Sequence, residues 1–262
     1  MIKFFRKIRY KLMNENKTGS SAETSVKAGK YIKYAIGEIL LVMIGILLAL
    51  QVNNWNQKRI AEKQIFNYLV SLKEDLKTDI ILYNSNIKGY EIDKANNSQI
   101  LINDDYKKLD VDSITILVNG FWNLNRTSDQ TYQKIKSAGL LEMLGTPEIN
   151  KAVNDYYNIY ISHYNYLIEW DRKLTDKDAT FWFHNNSFET NVLRGLESST
   201  LPFRDNSEKR KKDLINLTES TMGRNYLRNA IARDEYGIRI VNNAKSEAER
   251  ILELIENEIE KR

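Results

Sequence analysis

Cysteine is absent from the 262 residues, which excludes disulfide scaffolds, thiolate metal sites, iron–sulfur clusters and cysteine nucleophiles. Only 2 prolines and 11 glycines occur, too few turn-makers for a sandwich or barrel of many short strands. The two histidines, His163 and His184, lie too far apart to share a helical turn, and neither follows a glutamate by three positions as a di-iron bundle requires. Glycine-rich phosphate loops, GxSxG, HExxH and EF-hand loops are also missing. No catalytic, cofactor-binding or metal-binding residue is assigned on these grounds, and the chain reads as non-enzymatic. Charge of one sign is not in large excess: 39 basic residues face 35 acidic ones. The run Glu208-Lys-Arg-Lys-Lys212 reads as a solvated patch in a loop spanning His184 to Lys212, with no extended basic face for nucleic acid.

What is present is one long apolar run. From Ala35 to Val52 the chain reads AIGEILLVMIGILLALQV, and Ile39 to Leu50 carries no polar side chain. Eighteen helical residues rise about 27 Å, close to the roughly 30 Å of bilayer hydrocarbon. Tyr31 and Tyr34 before the run and Trp55 after it sit where interfacial aromatics belong. A buried soluble helix would show a polar face, and this run shows none over three turns. A transmembrane anchor is therefore expected over residues 34–54.

Nine basic residues precede the run against two acids, Glu15 and Glu23, which places the N-terminus in the cytoplasm by the positive-inside rule. No small-x-small cleavage site follows Leu50, so the anchor is read as retained, and residues 55–262 as lying outside the cytoplasm. In a bacterium that means the inner membrane with a periplasmic domain. Residues 1–13 form a basic amphipathic pattern, with Phe4 and Phe5 on the apolar side and Arg6, Lys7 and Arg9 among its cations, suited to an anionic membrane surface. A mitochondrial presequence has a similar composition and is the rival reading. Residues 14–33 read as a polar linker.

Within the anchor, Glu38 is either a snorkelling or ion-paired acid near the basic edge or a functional intramembrane carboxylate. Gly45 and Ala49 form a small-xxx-small pair that permits close helix association, and with it a homo-oligomer.

Beyond Trp55 the apolar spacing is helical throughout. Ile65, Leu69, Leu72, Leu76, Ile80, Tyr83, Ile87 and Tyr90 recur at three or four, and Asn96 to Ser113 reads as a loop. Thr127-x-x-Gln130 fits a capping box, Gly139 a helix stop, and Thr146-Pro147 a helix start. Ile149, Val153, Tyr156, Tyr160, His163, Leu167, Trp170 and Leu174 form a second seam. Tyr156, Tyr160, Tyr164 and Trp170 are candidate partner-contact residues, although tyrosines at this spacing also suit a core. Leu227, Ile231, Ile238, Val241, Ala248, Leu252, Ile255 and Ile259 mark a last helix whose seam Asp234 and Lys245 interrupt. The expected fold is all-α: one N-terminal transmembrane helix and an elongated up-and-down bundle.

The opening MIKFFRKIRYKLMNENK followed by YAIGEILLVMIGILLALQVNNWN resembles a family of uncharacterised membrane proteins, DUF6090, found mainly in flavobacteria and relatives. LVSLKEDL (69–76) and TYQKIKSAGLLEMLGTPEINKAVNDYY (131–157) extend the resemblance. It implies a single-pass inner-membrane protein with a helical remainder, and no activity. The polar stretch Thr18 to Gly29 is longer than in many such proteins. Three functions fit: a non-enzymatic scaffold contacting an envelope protein, an accessory subunit beside a multi-span membrane protein that uses Glu38, or a sensory module acting through a partner. The lipid bilayer is common to all three.

Overall fold

In the computed structural model the described residues are 24–120, 126–184, 188–190 and 202–262, with side chains from residue 35 onward. The amphipathic segment 1–13, with Phe4, Phe5, Arg6, Lys7 and Arg9, lies outside them. Every regular element described is helical. Helix α1 covers Thr24–Ile102, and the chain divides into two compact units within it, after Glu62.

In the first unit the apolar side chains from Ile36 to Val52 are about half exposed or more, since none of the described side chains of the unit covers them. The run contains no proline, and its leucine, methionine and alanine residues lose little by adopting a helix.

The second unit runs up, down, up and down. The first leg is the remainder of α1. Its buried positions are Ile65, Leu69, Leu72, Leu76, Asp79, Tyr83, Asn86, Tyr90, Asp93, Asn97 and Ile100, in unbroken steps of four and three. That spacing keeps one stripe facing its neighbours over the whole length. The helix continues through Asn96–Ile102, which the sequence suggested as loop. Asn97 stays helical because it is buried and donates to the Asp93 carbonyl at 2.9 Å, within the helix itself.

A short 3-10 turn, Asp105–Lys108, leads into α2, Val111–Val118, capped by Asp110 Oδ1, which accepts from Asp112 N and Ser113 N. The descending leg contains α3, Gln130–Ser137, and a 3-10 turn at Leu141–Met143. Asp129 precedes α3, so the capping box expected at Thr127 does not form. The predicted stop does form: Gly139 adopts φ +69°, a left-handed conformation open to glycine, and Leu140 N donates to Ile135 O at 3.2 Å.

The second ascending leg starts at Thr146, whose Oγ1 accepts from Ile149 N at 3.3 Å, with Pro147 at the first helical position. Helix α4, Pro147–Asp155, passes through a π turn at Tyr156–Tyr160 into α5, Ile161–Phe183. The extra residue in that turn rotates the seam by one position, so Tyr157 and Ile161 are buried while His163 is exposed. The expectation that His163 sits in the seam therefore fails.

Helix α6, Ser207–Glu219, holds the whole of the basic run Glu208–Lys212 that the sequence placed in a loop. Ser220 then joins it to α7, Thr221–Glu260, the last descending leg. Two cores result. The larger joins α1, α4, α5 and α7 through Leu69, Leu72, Leu76, Val153, Leu167, Val241 and Ile255. The smaller, around Tyr106, Ile114, Trp182, Leu214 and Leu227, lies under α2 and α6.

Candidate functional site

The upper half of the larger core is polar. On α1 the stripe changes from leucine to Asp79, Tyr83, Asn86, Tyr90 and Asp93, all buried. Facing them are Tyr156, Tyr164, Asp171, Thr175 and Asp178 on the α4–α5 leg and Arg233 and Asp234 on α7. Such groups persist in an interior only when paired.

Near Asp79 the Tyr156 hydroxyl donates to Asp79 Oδ2 at 2.8 Å and lies 3.0 Å from the Tyr83 hydroxyl. Burial pushes the Asp79 carboxyl up to about 7; the Tyr156 bond pulls the other way. Burial also holds the Tyr83 and Tyr156 hydroxyls well above the ordinary phenol range, so both remain donors. One helical turn further, Asn86 Nδ2 donates to Tyr164 Oη at 2.6 Å. The Tyr83 and Tyr164 rings meet edge to face, 5.0 Å between centroids.

Further along, Arg233 lies between two carboxylates: Nε is 2.9 Å from Asp171 Oδ1 and a terminal nitrogen 2.8 Å from Asp178 Oδ2. Tyr90 donates to Asp171 Oδ2 at 3.0 Å. Burial raises Asp171 to about 6 against the pull of Arg233, and also raises Asp178. For Arg233, burial works against the charge but Asp178 and Asp171 outweigh it. Burial and then the nearby Asp93 push Asp234 up to about 8. The Tyr90 ring reaches this layer because Gly237 presents no side chain: a Cβ there would stand 2.9 Å from the ring.

These groups were hidden from a hydrophobic pattern. Counting apolar residues selects Ile80 and Ile87, which are only partly buried, and passes over Asp79 and Asn86. The heptad set by Ile65, Leu69, Leu72 and Leu76, carried on without regard to polarity, lands on Asp79, Tyr83, Asn86, Tyr90, Asp93 and Asn97. Asp234, which looked like an interruption of the last seam, is part of it.

The candidate contact residues separate. Tyr156 and Tyr164 are fully buried and hydrogen-bonded, so they form core and not a partner surface. Tyr160 and Trp170 are half-buried, and Trp170 meets Tyr236 edge to face at 5.7 Å. The exposed aromatic on this leg is Tyr166, 68% exposed, which the periodicity did not select. In the basic run, Arg210 turns inward: Nε donates to Glu189 O at 2.8 Å, and the guanidinium lies 3.5 Å from the centroid of the Phe203 ring. Glu38, Gly45 and Ala49 are exposed on α1, and no neighbour stands within 4 Å of a Cβ built at Gly45. Among the described residues no three His, Cys, Asp or Glu side chains are grouped to hold a metal ion.

One helix long and apolar enough to cross a membrane, followed by a helical bundle, defines the class of protein. Residues 38–201 match the family of unknown function DUF6090, and the chain belongs to that family. The match begins inside the apolar run and covers α2 to α5; the opening residues, α6 and α7 lie outside it. No curated protein and no solved structure matches the chain.

Proposed function

We propose that this protein is a membrane-anchored, non-enzymatic scaffold of the bacterial envelope, with its N-terminus in the cytoplasm and its bundle in the periplasm. The observation that carries the reading is the span itself. Its side chains from Ile39 to Leu50 are uncovered by the described residues, and burying each leucine, isoleucine, valine or methionine among them is favourable by about 1.5–3 kcal/mol, which lipid supplies. The orientation rests on the basic residues before the span.

The bundle offers its partner an exposed set on the α4–α5 leg: Ile159, Tyr166 and the edges of Tyr160 and Trp170. Crosslinking and pulldown from native membranes tests this, with Tyr166→Ala and Trp170→Ala alongside the unaltered chain. The scaffold reading expects a soluble or envelope protein that is lost in these variants. A hydrolytic or redox activity of the purified chain, abolished by one point substitution, would overturn it.

A second reading is favoured by the position of Glu38, exposed on an apolar helix where lipid or another helix must meet it. There it would exchange protons beside a multi-span membrane protein. Co-purification of such a protein, lost with Glu38→Gln, would support this class. Unchanged complexes would remove it. Gly45→Leu tests self-association through the span in the same preparations.

A further inference from the structure

Among the described residues of the second unit, the exposed phenylalanine, tyrosine and tryptophan side chains are Phe66, Tyr166 and Tyr236, and the two tyrosines share one surface. Tyr166 lies one turn before Trp170 on α5, and the half-buried Trp170 meets Tyr236 of α7 edge to face at 5.7 Å. Continued along α5 with helical spacing, the Tyr166–Trp170 face carries Lys173 and Lys177. On α7 the Arg239 guanidinium lies 5.3 Å from the centroid of the Tyr236 ring. An aromatic strip with cations beside it therefore runs along the junction of α5 and α7.

The strip carries charge of one sign. Lys173, Lys177 and Arg239 are exposed, and none of them forms an ion pair with another described residue. Most carboxylates near them on the same helices are engaged elsewhere. Asp171 and Asp178 face inward to Arg233 at 2.9 and 2.8 Å. Glu169 pairs with Arg126 and Arg172, and Glu235 with Lys94 at 2.8 Å. Asp176 is exposed but stands about 120° around α5 from Trp170, on the flank of the strip. Tryptophan, tyrosine and arginine are the residue types that carry most energy at protein interfaces, and free cations around them select an acidic counterpart.

We propose that this strip docks an acidic segment of an envelope protein, with its carboxylates against Lys173, Lys177 and Arg239 and an apolar side chain against Tyr166, Trp170 and Tyr236. The inference rests on the scaffold reading above and names the chemistry of its partner. From Tyr166 to Lys177 the strip rises about 16 Å, the reach of about five extended residues. Lys173 and Lys177 stand about 6 Å apart along the axis. In an extended segment, alternate residues point to one side at a spacing of about 6.7 Å, so two carboxylates separated by one residue reach both lysines. Each such pair is partly exposed to water, so the attraction weakens with salt.

The test is photo-crosslinking in native membranes, with Tyr166 of the full chain replaced by benzoylphenylalanine and the captured peptide sequenced by mass spectrometry. The expected capture is a segment with at least two carboxylates, falling as salt is raised. Lys173→Glu with Arg239→Glu should reduce it about tenfold or more, and Lys173→Arg with Arg239→Lys, which keep the charge, should retain it. Lys211→Glu with Lys212→Glu, on α6, should leave it unchanged. A captured segment without carboxylates, a glycan adduct in place of a peptide, or equal capture after the Lys173 and Arg239 reversals would overturn the inference and leave the scaffold reading standing. Absence of capture at Tyr166 while a partner still co-purifies would do the same. Absence of capture together with absence of any co-purifying partner would remove both.

Discussion

Gly237→Ala should destabilise this bundle, although the same change in an open helix would stabilise it. Replacing a mid-helix glycine by alanine gains about 1 kcal/mol of helix propensity. Here the new methyl carbon would stand 2.9, 3.0 and 3.2 Å from three carbons of the Tyr90 ring. The ring is not free to swing away, since its hydroxyl is tied to Asp171 at 3.0 Å and that carboxylate is tied to Arg233 at 2.9 Å. Overpacking of this kind costs about 1–3 kcal/mol, so the net loss is about 1 kcal/mol and the change of sign is the diagnostic feature. Urea unfolding of the detergent-solubilised chain, followed by circular dichroism, measures it as a lower midpoint at unchanged slope. Tyr90→Phe cuts the tether. In a double-mutant cycle Gly237→Ala should therefore cost less in the Tyr90→Phe background, with a coupling of about 1 kcal/mol. A stabilising Gly237→Ala that adds independently to Tyr90→Phe would refute the argument.

Tyr156→Phe removes a donor to Asp79 and the contact with Tyr83, and should cost about 1–3 kcal/mol in the same unfolding assay. It should also move the Asp79 titration further above about 7, since that bond is what opposes burial; carboxyl NMR shifts report it. Leu72→Ala, in the wholly apolar part of the stripe, should cost about 2–5 kcal/mol with no change in pH dependence. Arg210→Met leaves Glu189 O without its donor and should speed hydrogen exchange in α6 while the long helices keep their protection.

How far the fold was legible follows from what each signal measures. Glycine and proline act through backbone geometry, so Gly139 and Thr146-Pro147 marked ends that the structure keeps. Apolar spacing found every long leg, because burial of leucine, isoleucine and valine drives those seams. It failed where the stripe became polar. Asp79 and Asn86 are buried because Tyr156 and Tyr164 on another leg satisfy them, and no local pattern names a partner so distant in the chain. The π turn at Tyr156–Tyr160 shifted the seam by one residue and carried His163 outward. Tyr156 and Tyr164 looked like a contact surface because their spacing is the same whether a partner protein or the core of this chain covers them. Arg210 turned inward for a comparable reason: its neighbours Phe203 and Glu189 come from the connection before α6, and a run of cations gives no sign of which one is clamped.

The central claim is that the apolar run crosses a bilayer and leaves the bundle on the far side. The absence of cysteine makes one measurement direct: a single Asn216→Cys, on the exposed face of α6, labelled with a membrane-impermeant maleimide in intact spheroplasts. The account predicts full labelling before lysis, with Ser20→Cys, ahead of the run, reacting only afterwards. Labelling of Ser20→Cys alone in intact spheroplasts, or recovery of the protein in the soluble fraction, would contradict it.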